Sequence, residues 1–517
     1  MPFPLITYLI ILAISIGISY LLRDKPADAK PPGLDDIDVP TAELGTPYNI
    51  IFGQPPRYKS AMVLWYGDFY AKAIKVSGTT IGYAYNLGMH LGLCHANIDG
   101  IKQVWVDDRV MYPTLDDSSS FMADNTVSFK VSQGDVWGGR KKNGGIVLDC
   151  DVLYGESSQV QNTYLMAQQG GANGTPTYRG ITSVVFNRSY WGKSPRLPYL
   201  SWVVKRTNQH HDGTAQWYSA KAVVDSYNSL NIIHVIRECL TSTVFGKGIS
   251  TDRIDSTTFE AAADTLYTEG VGIGYKYHPG SESIADFIVS LEEIMDGILL
   301  FDHSVGKYKI KLIRDDYVLG SLTTYTEDDF DIIELNRPTE FQTPSETTVF
   351  YTDIKSAKSA PAKDDDIALI EIQGMSPTTQ EFNWPMIVNP TLANTLASRE
   401  QDFSSRMGVI LQLSCKRTMY NYQRGDLFVI QHSRLTTAGI SSMTVRVISI
   451  DRGKLEDGEM IYEVIEEVFE TASPTNTAPG SSQGGAFDPD VTYEGLQEAV
   501  AVTFESMEVS IINESVS

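Results

Sequence analysis

The sequence predicts an α+β protein that is mostly β and contains several domains. Short runs of β-branched and aromatic residues bounded by Gly, Asn or Pro recur along the chain and are typical of strands. One central region instead carries apolar residues at helical spacing. The chain has 517 residues, of which 42% are hydrophobic. It is therefore long enough for three or four domains and apolar enough to give them cores.

The chain begins with an apolar segment. The 18 residues from Leu5 to Leu22 carry no charge, and this is about the shortest length that spans a bilayer as a helix. We predict a hydrophobic N-terminal helix over residues 1–23. A signal peptide is disfavoured, since no positive side chain precedes the apolar run and no small-residue cleavage site follows it. A membrane anchor and a helix buried in an oligomer both stay open, because a helix that is apolar all round cannot lie alone in water. The side chains expected to make this contact are Leu5, Ile6, Leu9, Ile10, Leu12, Ile16, Leu21 and Leu22.

A linker and a β-region follow. Residues 24–45 are rich in Pro, Asp, Ala and Gly and predict a linker or extended arm. Residues 46–215 predict a first β-region, with strands at runs such as Val63–Tyr66 and Val184–Phe186.

Two polar stretches of this region predict loops on the surface. Gly138–Gly145, reading GGRKKNGG, predicts a solvated basic hairpin tip, with contact to DNA or phosphate as the alternative. His210 and His211 lie in a polar stretch that predicts a solvent-exposed loop.

Residues 216–345 predict an α/β unit. Apolar spacing indicates helices over Asn231–Leu240 and Ile284–Met295, with Ser283 as the N-cap of the latter. A third, Ala-rich helix over Ser256–Leu266 opens with Ser and Thr as capping residues. A hairpin around Val305 and Gly306 completes the unit.

Residues 346–470 predict a second β-domain with one helix near Pro390–Ser405. Its clearest strands are Val445–Ile450 and Met460–Val464. Residues 471–492 are rich in Ser, Thr, Pro and Gly and predict a flexible linker. The C-terminal segment, residues 493–517, is acidic and partly apolar.

The charge balance excludes one class of protein. The chain has 64 acidic and 41 basic side chains, a net charge of −23 and a pI near 4.7. A protein whose outer surface grips nucleic acid needs clustered Lys and Arg instead. DNA in transit through a tube is compatible with acidic walls, which repel it and let it slide.

The sequence predicts no metal site and no cofactor. Four cysteines, Cys94, Cys150, Cys239 and Cys415, are far apart and form no CxxC pair. The nearest metal candidate is the group His90, Cys94 and His95, for which we prefer a buried Cys94 that acts as a small hydrophobe.

The sequence also predicts no catalytic residue. Four carboxylates lie close together, and Glu292 and Asp296 would share a helix face, which a paired-carboxylate hydrolase could use. We interpret them as a solvated helix surface. No zinc-protease, P-loop or nucleophile-elbow motif occurs, and the glycines at 270, 272 and 274 do not form a nucleotide-binding fingerprint. The four carboxylates are Glu292, Glu293, Asp296 and Asp302.

One ordered set of short motifs points to a family. Residues 40–68 read PTAELGTPYNIIFGQPPRYKSAMVLWYGD, a turn followed by strands that end in Phe-Gly and Trp-Tyr-Gly-Asp. Further blocks follow in order: Gly88–His95, Tyr154–Glu156, Tyr178–Ile181, Glu238–Thr241, Phe259–Gly270, Gly425–Asp426, Arg446–Val447 and Glu466–Phe469. Together they resemble the hub proteins of siphophage tail tips, of the lambda-like attachment type and of gene transfer agents. The most characteristic positions are Pro40, Gly45, Phe52, Gly53, Trp65, Gly67, Asp68, Arg179, Gly180, Phe259 and Asp264.

The resemblance implies a structural, non-enzymatic virion protein at the distal end of the tail, made in the host cytoplasm. Such hubs form homotrimers in which two tube-like β-domains per subunit make a pseudo-sixfold ring beneath the hexameric tube, with an α/β wedge between them. The implied partners are distal tail and tube proteins, the tape measure protein, and fibres or receptor-binding proteins. Opening of the hub releases DNA. The chain stops before the receptor-binding extension of the longest relatives.

The resemblance also bears on the apolar N-terminus. Residues Leu5–Leu22 would contact the tape measure protein or enter the host membrane at infection. The competing hypothesis is a membrane-anchored envelope protein with an acidic ectodomain, which depends on this apolar segment alone. A hub is a stable trimer in particles, whereas an envelope anchor need not be.

Overall fold

A computed structural model of the chain describes residues 47–59, 62–76, 79–134, 144–194, 197–339, 341–406, 408–437, 439–454, 458–467 and 469. The predicted N-terminal helix with its eight contact residues, the arm with Pro40 and Gly45, most of the basic loop, and residues 471–517 lie outside the described residues. Within the described part, no helix is both long and apolar enough to cross a membrane.

The described residues confirm the predicted fold class, a mostly β protein of the α+β type. The strands are β1 (Ile50–Phe52), β2 (Tyr58–Lys59), β3 (Met62–Val76), β4 (Thr79–His95), β5 (Gly100–Val106), β6 (Arg109–Tyr112), β7 (Ser128–Gln133), β8 (Ile146–Leu153), β9 (Ile181–Tyr190), β10 (Leu200–Lys205), β11 (Leu230–Asn231), β12 (Gly272–Ile273), β13 (Tyr275–Tyr277), β14 (Gly297–Asp302), β15 (Lys307–Leu312), β16 (Thr324–Tyr325), β17 (Phe330–Asn336), β18 (Glu346–Asp353), β19 (Lys358–Asp365), β20 (Thr379–Asn383), β21 (Ile410–Lys416), β22 (Leu427–Ile430), β23 (Met443–Asp451) and β24 (Glu459–Glu466). The α-helices are α1 (Thr163–Gln168), α2 (Ile232–Thr241), α3 (Ser256–Glu269), α4 (Ile284–Met295), α5 (Ile367–Ile372), α6 (Pro390–Ser405) and α7 (Ser433–Thr437).

Two sheets contribute to the first hydrophobic core. One has the strand order β3-β4-β9-β8-β7 and the other the order β2-β10-β5-β6, with antiparallel pairs throughout. Buried and less buried residues alternate along β8, as in a strand that turns one face to a core. Phe186, Trp191 and Trp202 lie in this core and are almost completely buried.

A second core is built on the helices α2, α3 and α4. Strand β1 pairs antiparallel with β13, which sets Ile50 opposite Tyr277, while its Ile51 packs in the first core. Phe52 at the end of β1 is fully buried in this second core. The N-terminal motif strand therefore joins the first β-region to the helical unit.

A six-stranded sheet of order β16-β22-β23-β24-β21-β17 surrounds a third core. Its central strands supply Phe428 and Tyr462, both fully buried, and the Tyr462 hydroxyl donates to the Met419 carbonyl.

The hydrophobic packing does not follow the predicted division at residue 346. Val349 and Ala362 of the small sheet β19-β18-β20 pack in the second core, as does Leu392 of α6. In the other direction, Phe330 and Ile332 pack in the third core. The domain limits themselves stay predictions.

The observed bounds and caps of two helices can be compared with those predicted from the sequence. Helix α4 has the predicted bounds, and the Ser283 hydroxyl accepts from the Asp286 N–H as its cap. Helix α3 differs in its cap, because Asp255 rather than a Ser or Thr accepts from the N–H groups of Thr257 and Thr258. It also continues to Glu269 and ends at left-handed Gly270.

A ribbon of two strands extends beyond the five-stranded sheet. Strand β3 pairs with β4 from Thr79 to Gly92 of β4, whereas β4 pairs with β9 only from Asn86 onward. Among the described residues, the backbone of Lys72–Val76 and Thr79–Ala84 therefore pairs only within this hairpin. We call this part the ribbon. Tyr70 at its base and Ile81 within it are 54% and 59% exposed.

Candidate functional site

Phe52 and Gly53 join the end of β1 to the helical unit. The Phe52 ring stacks on the Phe287 ring with a centroid distance of 5.7 Å. Gly53 has a φ of +68°, and a Cβ there would lie 2.4 Å from the Ile273 carbonyl oxygen. Only glycine fits this approach of two backbones without a shift.

Trp65, Gly67 and Asp68 form a second motif contact, on strand β3. The Asp68 carboxylate accepts from the Tyr164 hydroxyl at 2.8 Å and from Arg188 Nε at 2.7 Å. Burial alone would raise the Asp68 pKa, but the Arg188 and Tyr164 hydrogen bonds and the Arg188 charge outweigh it, and the pKa lies below its usual value. The Trp65 ring packs edge-on against Tyr164 and over Gly67, where a Cβ would lie 2.7 Å from it. These residues connect β3 to α1 and β9.

The motif residues of helix α3 are also structural. Phe259 is fully buried in the second core. Asp264 accepts from the Tyr218 hydroxyl at 2.9 Å and lies 3.6 Å from Lys221 Nζ. Near the end of the chain, Gly425 and Val447 are joined by a backbone hydrogen bond of 2.8 Å, so two late motif blocks also meet in space.

Arg179 and Gly180 lie apart from these contacts, on the wall of a cleft of about 960 Å³. The same wall includes His95 and Gly155, which belong to two other motif blocks. The opposite wall is the C-terminal half of α2, with Arg237 and Glu238, and the loop that carries His210 and His211. Four motif blocks, counting Glu238–Thr241 of α2, thus converge on one cleft between the first β-region and the helical unit.

A buried ion pair joins Arg206, which follows β10, to Glu238 of α2. Arg206 Nη1 donates to both Glu238 oxygens, at 2.7 and 3.0 Å, and Arg206 Nε donates to the Ile51 carbonyl. Both side chains are at most 2% exposed. Burial alone would raise the Glu238 pKa, yet the Arg206 charge and the neighbouring histidines outweigh it and hold the pKa well below its usual value.

His210 and His211 are buried, so the prediction that they lie in a solvent-exposed loop is wrong. The His211 backbone N–H donates to Glu238 Oε1 at 2.9 Å, and its ring Nδ1 lies 2.9 Å from the same oxygen. His210 Nδ1 is 3.6 Å from Glu238 Oε2, an electrostatic contact beyond hydrogen-bond distance. These contacts with the Glu238 carboxylate therefore hold the polar loop in a buried position. The sequence signal was Glu238, the one acidic residue in a largely apolar helix, because a buried charge needs a partner.

The metal and hydrolase candidates do not form sites. His90 Nε2 lies 2.8 Å from Ser183 Oγ, and Cys94 is a buried free thiol. Among the described residues, no group of three His, Cys, Asp or Glu side chains is placed to hold a metal ion. Glu292 accepts from the Leu299 N–H and is half-buried rather than solvated, while Asp302 pairs with Lys309 at 2.8 Å. Glu292 and Asp302 are thus engaged with different partners.

Two buried histidines predict acid sensitivity. Burial lowers the pKa of His90 and of His234 from 6.5 to about 3. Below pH 6.5 the unfolded chain binds protons at these positions and the folded chain does not, so stability is complete above pH 6.5 and falls as the pH drops toward 3. The slope is up to about 1.4 kcal/mol per pH unit for each group. Calorimetric unfolding at pH 7, 6, 5 and 4 measures it.

The control for this prediction is the double variant His90→Asn, His234→Gln, in which neither side chain titrates. We expect its unfolding temperature to change less between pH 7 and 5 than that of the wild type. Equal pH dependence in the two proteins would contradict the assignment of the effect to these histidines.

The fold is similar to that of a chain from a virion particle. No protein-family model matches the sequence, and no curated protein does. A chain of the virion of native gene transfer agent (GTA) particle shares the fold with a TM-score of 0.54 at 14% identity, over 91% of this chain and 98% of that chain. The tail protein from Neisseria meningitidis MC58 gives a TM-score of 0.28 at 9% identity, over 71% of this chain and 96% of that one. Prophage tail protein gp18 from Listeria monocytogenes EGD-e gives 0.28 at 10% identity, over 71% and 88%.

Proposed function

We propose that this chain is the structural hub of a phage tail tip and has no enzymatic activity. The observation that carries the proposal is the fold shared with a chain of a gene transfer agent virion, along 91% of one chain and 98% of the other. Several motif residues support it, because Phe52, Asp68 and Asp264 are engaged in contacts that hold strands and helices together.

In this role three copies close the distal tail tube and adapt the hexameric tube to a trimeric tip. Distal tail and tube proteins bind above, and fibres or receptor-binding proteins bind at the side or below. The apolar segment Leu5–Leu22 contacts the tape measure protein or the host membrane. Opening of the hub lets the tape measure protein and the DNA pass.

Two exposed features support assembly into a ring. A two-stranded ribbon is at best marginally stable alone in water, and this one exposes Tyr70 and Ile81. The edge strand β17 of the six-stranded sheet exposes Ile333 and Leu335, at 54% and 52%. Exposed apolar residues at a sheet edge invite pairing with another chain, and closure into a ring removes such edges.

The ribbon gives a prediction that separates assembly from folding. Replacement Ile81→Lys places a charge on a side chain that is already exposed, so we expect the unfolding temperature of the isolated protein to be unchanged. If the ribbon contacts a neighbouring copy, the same variant should reduce particle yield at least tenfold, because a buried unpaired charge costs several kcal/mol. Complementation of a gene deletion followed by particle counting measures the yield.

The matched control is Val318→Lys, at an exposed valine outside the ribbon. It should leave both the unfolding temperature and the particle yield unchanged. Normal yield with the Ile81→Lys variant would contradict a role of the ribbon in assembly.

The hub role as a whole is tested by cryo-electron microscopy of purified particles with threefold averaging at the tail tip. Three copies of this chain that close the tube are the expected result. Absence of the chain from the tip, with recovery only from membranes of the producing cell, would contradict the hub and leave the membrane-anchored envelope protein.

A further inference from the structure

The cleft between the first β-region and α2 lacks the acidic excess of the chain, since its lining contains two arginines and two carboxylates. Acidic side chains outnumber basic ones by 64 to 41 overall, yet Arg179 and Arg237 both line this cleft. Among the described residues, no carboxylate lies within 4.0 Å of either guanidinium. The acidic residues of the cleft are already engaged, since Glu238 binds Arg206 and Asp212 accepts from the Thr214 N–H and hydroxyl.

Arg237 is half-buried, which makes the lack of a counter-charge costly. Its guanidinium lies over the Trp217 ring, 5.0 Å from the ring centroid. Burial lowers the Arg237 pKa, as expected for a cation that lacks a nearby anion. An anionic group in the cleft would offset the cost of burying the Arg237 charge.

Further polar groups of the lining lack partners. Trp217 Nε1 and His210 Nδ1 are buried atoms with no hydrogen-bond partner among the described residues. His210 as a whole is 9% exposed. Indole N–H is only a donor, and a histidine ring nitrogen can be one. Arg179 uses Nε for the Gln159 carbonyl, at 3.1 Å. A ligand rich in acceptor oxygens matches this set.

We propose that the cleft binds an acidic peptide segment of a partner chain, whose carboxylates pair with Arg179 and Arg237. Guanidinium groups bind carboxylates in paired hydrogen bonds. A volume of about 960 Å³ is at the upper end of ligand pockets and far exceeds one small anion. Double-stranded DNA is excluded because it needs an open basic surface, and this chain carries a net charge of −23. The inference goes beyond the hub role and does not depend on it.

The test is fluorescence anisotropy of the full chain with a labelled hexaglutamate peptide at low salt. Hexaglutamine of equal length and a six-nucleotide single-stranded oligothymidylate are the comparison probes. We expect saturable binding of hexaglutamate that weakens as salt rises, and at least tenfold weaker binding of hexaglutamine, since hydrogen bonds to charged groups contribute about 1.5–3 kcal/mol each.

Variants assign the binding to the cleft. Arg237→Gln and Arg179→Gln should each weaken hexaglutamate binding about tenfold, and Arg237→Lys should keep part of it. The matched control is Arg337→Gln, an exposed arginine away from the cleft, which should bind like the wild type. Circular dichroism confirms that each variant is folded. If Arg237→Gln does not fold, the exposed Arg179 still provides the test.

Three results would overturn the proposal. Equal binding of hexaglutamine would show that charge is not recognised. Equal losses with Arg337→Gln would show that attraction is general rather than local to the cleft. Tighter binding of the oligothymidylate, lost with Arg179→Gln and Arg237→Gln, would assign the cleft to phosphodiester groups instead. None of these results bears on whether the chain closes a tail tube.

Discussion

Replacement Arg206→Met is expected to destabilise the junction of the first β-region and the helical unit by about 3–5 kcal/mol. The variant leaves Glu238 buried without its cation, and it removes the donor to the Ile51 carbonyl. Hydrogen exchange read by mass spectrometry measures the effect locally, as loss of protection in α2 (Ile232–Thr241) and β10 (Leu200–Lys205). Urea unfolding followed by tryptophan fluorescence measures it for the whole chain.

Two further variants show whether the buried charge is the cause. The double variant Arg206→Met, Glu238→Gln removes both charges but keeps an acceptor for the His211 N–H, so it should lose less stability than Arg206→Met alone. Lys130→Gln removes the exposed pair with Asp149 and should leave exchange and unfolding unchanged. A double variant as unstable as the single one would indicate that packing around Arg206, not the charge of Glu238, determines the loss.

Replacement Gly53→Ala is expected to cost at least about 3 kcal/mol, or to prevent folding at 37 °C. Two effects add, because the residue has a φ of +68° and the new Cβ would lie 2.4 Å from the Ile273 carbonyl oxygen and 3.0 Å from the Asn228 carbonyl oxygen. The neighbouring atoms are backbone, so they cannot give way by a change of rotamer. The yield of soluble protein and the calorimetric unfolding temperature measure the effect.

Gly270→Ala separates the two effects. Gly270 has a similar φ of +71°, and nothing lies within 4 Å of the position its Cβ would take. This variant should show the backbone strain alone, about 1–2 kcal/mol. Equal losses of stability in the Gly53→Ala and Gly270→Ala variants would mean that the close approach of Gly53 to Ile273 contributes nothing. Glycine would then be needed at position 53 only for its positive φ.

Local signals were sufficient for much of the secondary structure. The apolar spacing of α4 predicted both of its ends, because an amphipathic helix needs apolar residues three and four positions apart. Ser283 was correctly predicted as the N-cap of this helix. The runs of β-branched residues predicted strands β3, β9, β23 and β24, although each is longer in the structure than the run that marked it. The fold class followed from these elements.

The motif blocks were visible as residues, but their geometry was not. Arg179 could be named from the sequence, whereas its place on one cleft with His95 and Arg237 required the packing of the first β-region against α2. The wrong prediction that His210 and His211 are exposed has the same origin, a contact between residues that are distant in sequence. A polar stretch predicts a loop on the surface, and only the position of Glu238, 27 residues beyond His211, shows that the loop is held inside.

The sequence by itself thus determined where the longer helices and several strands lie, the acidic balance of the chain and the resemblance to tail hubs, because these depend on neighbouring residues or on their order. The tertiary structure alone decided that β1 pairs with β13 and that Arg206 meets Glu238. It also decided that the cleft brings together Arg179 and Arg237, neither of which has a carboxylate within 4.0 Å among the described residues. These contacts join distant parts of the chain, and their free energy comes from burial and pairing that exist only after the cores have formed.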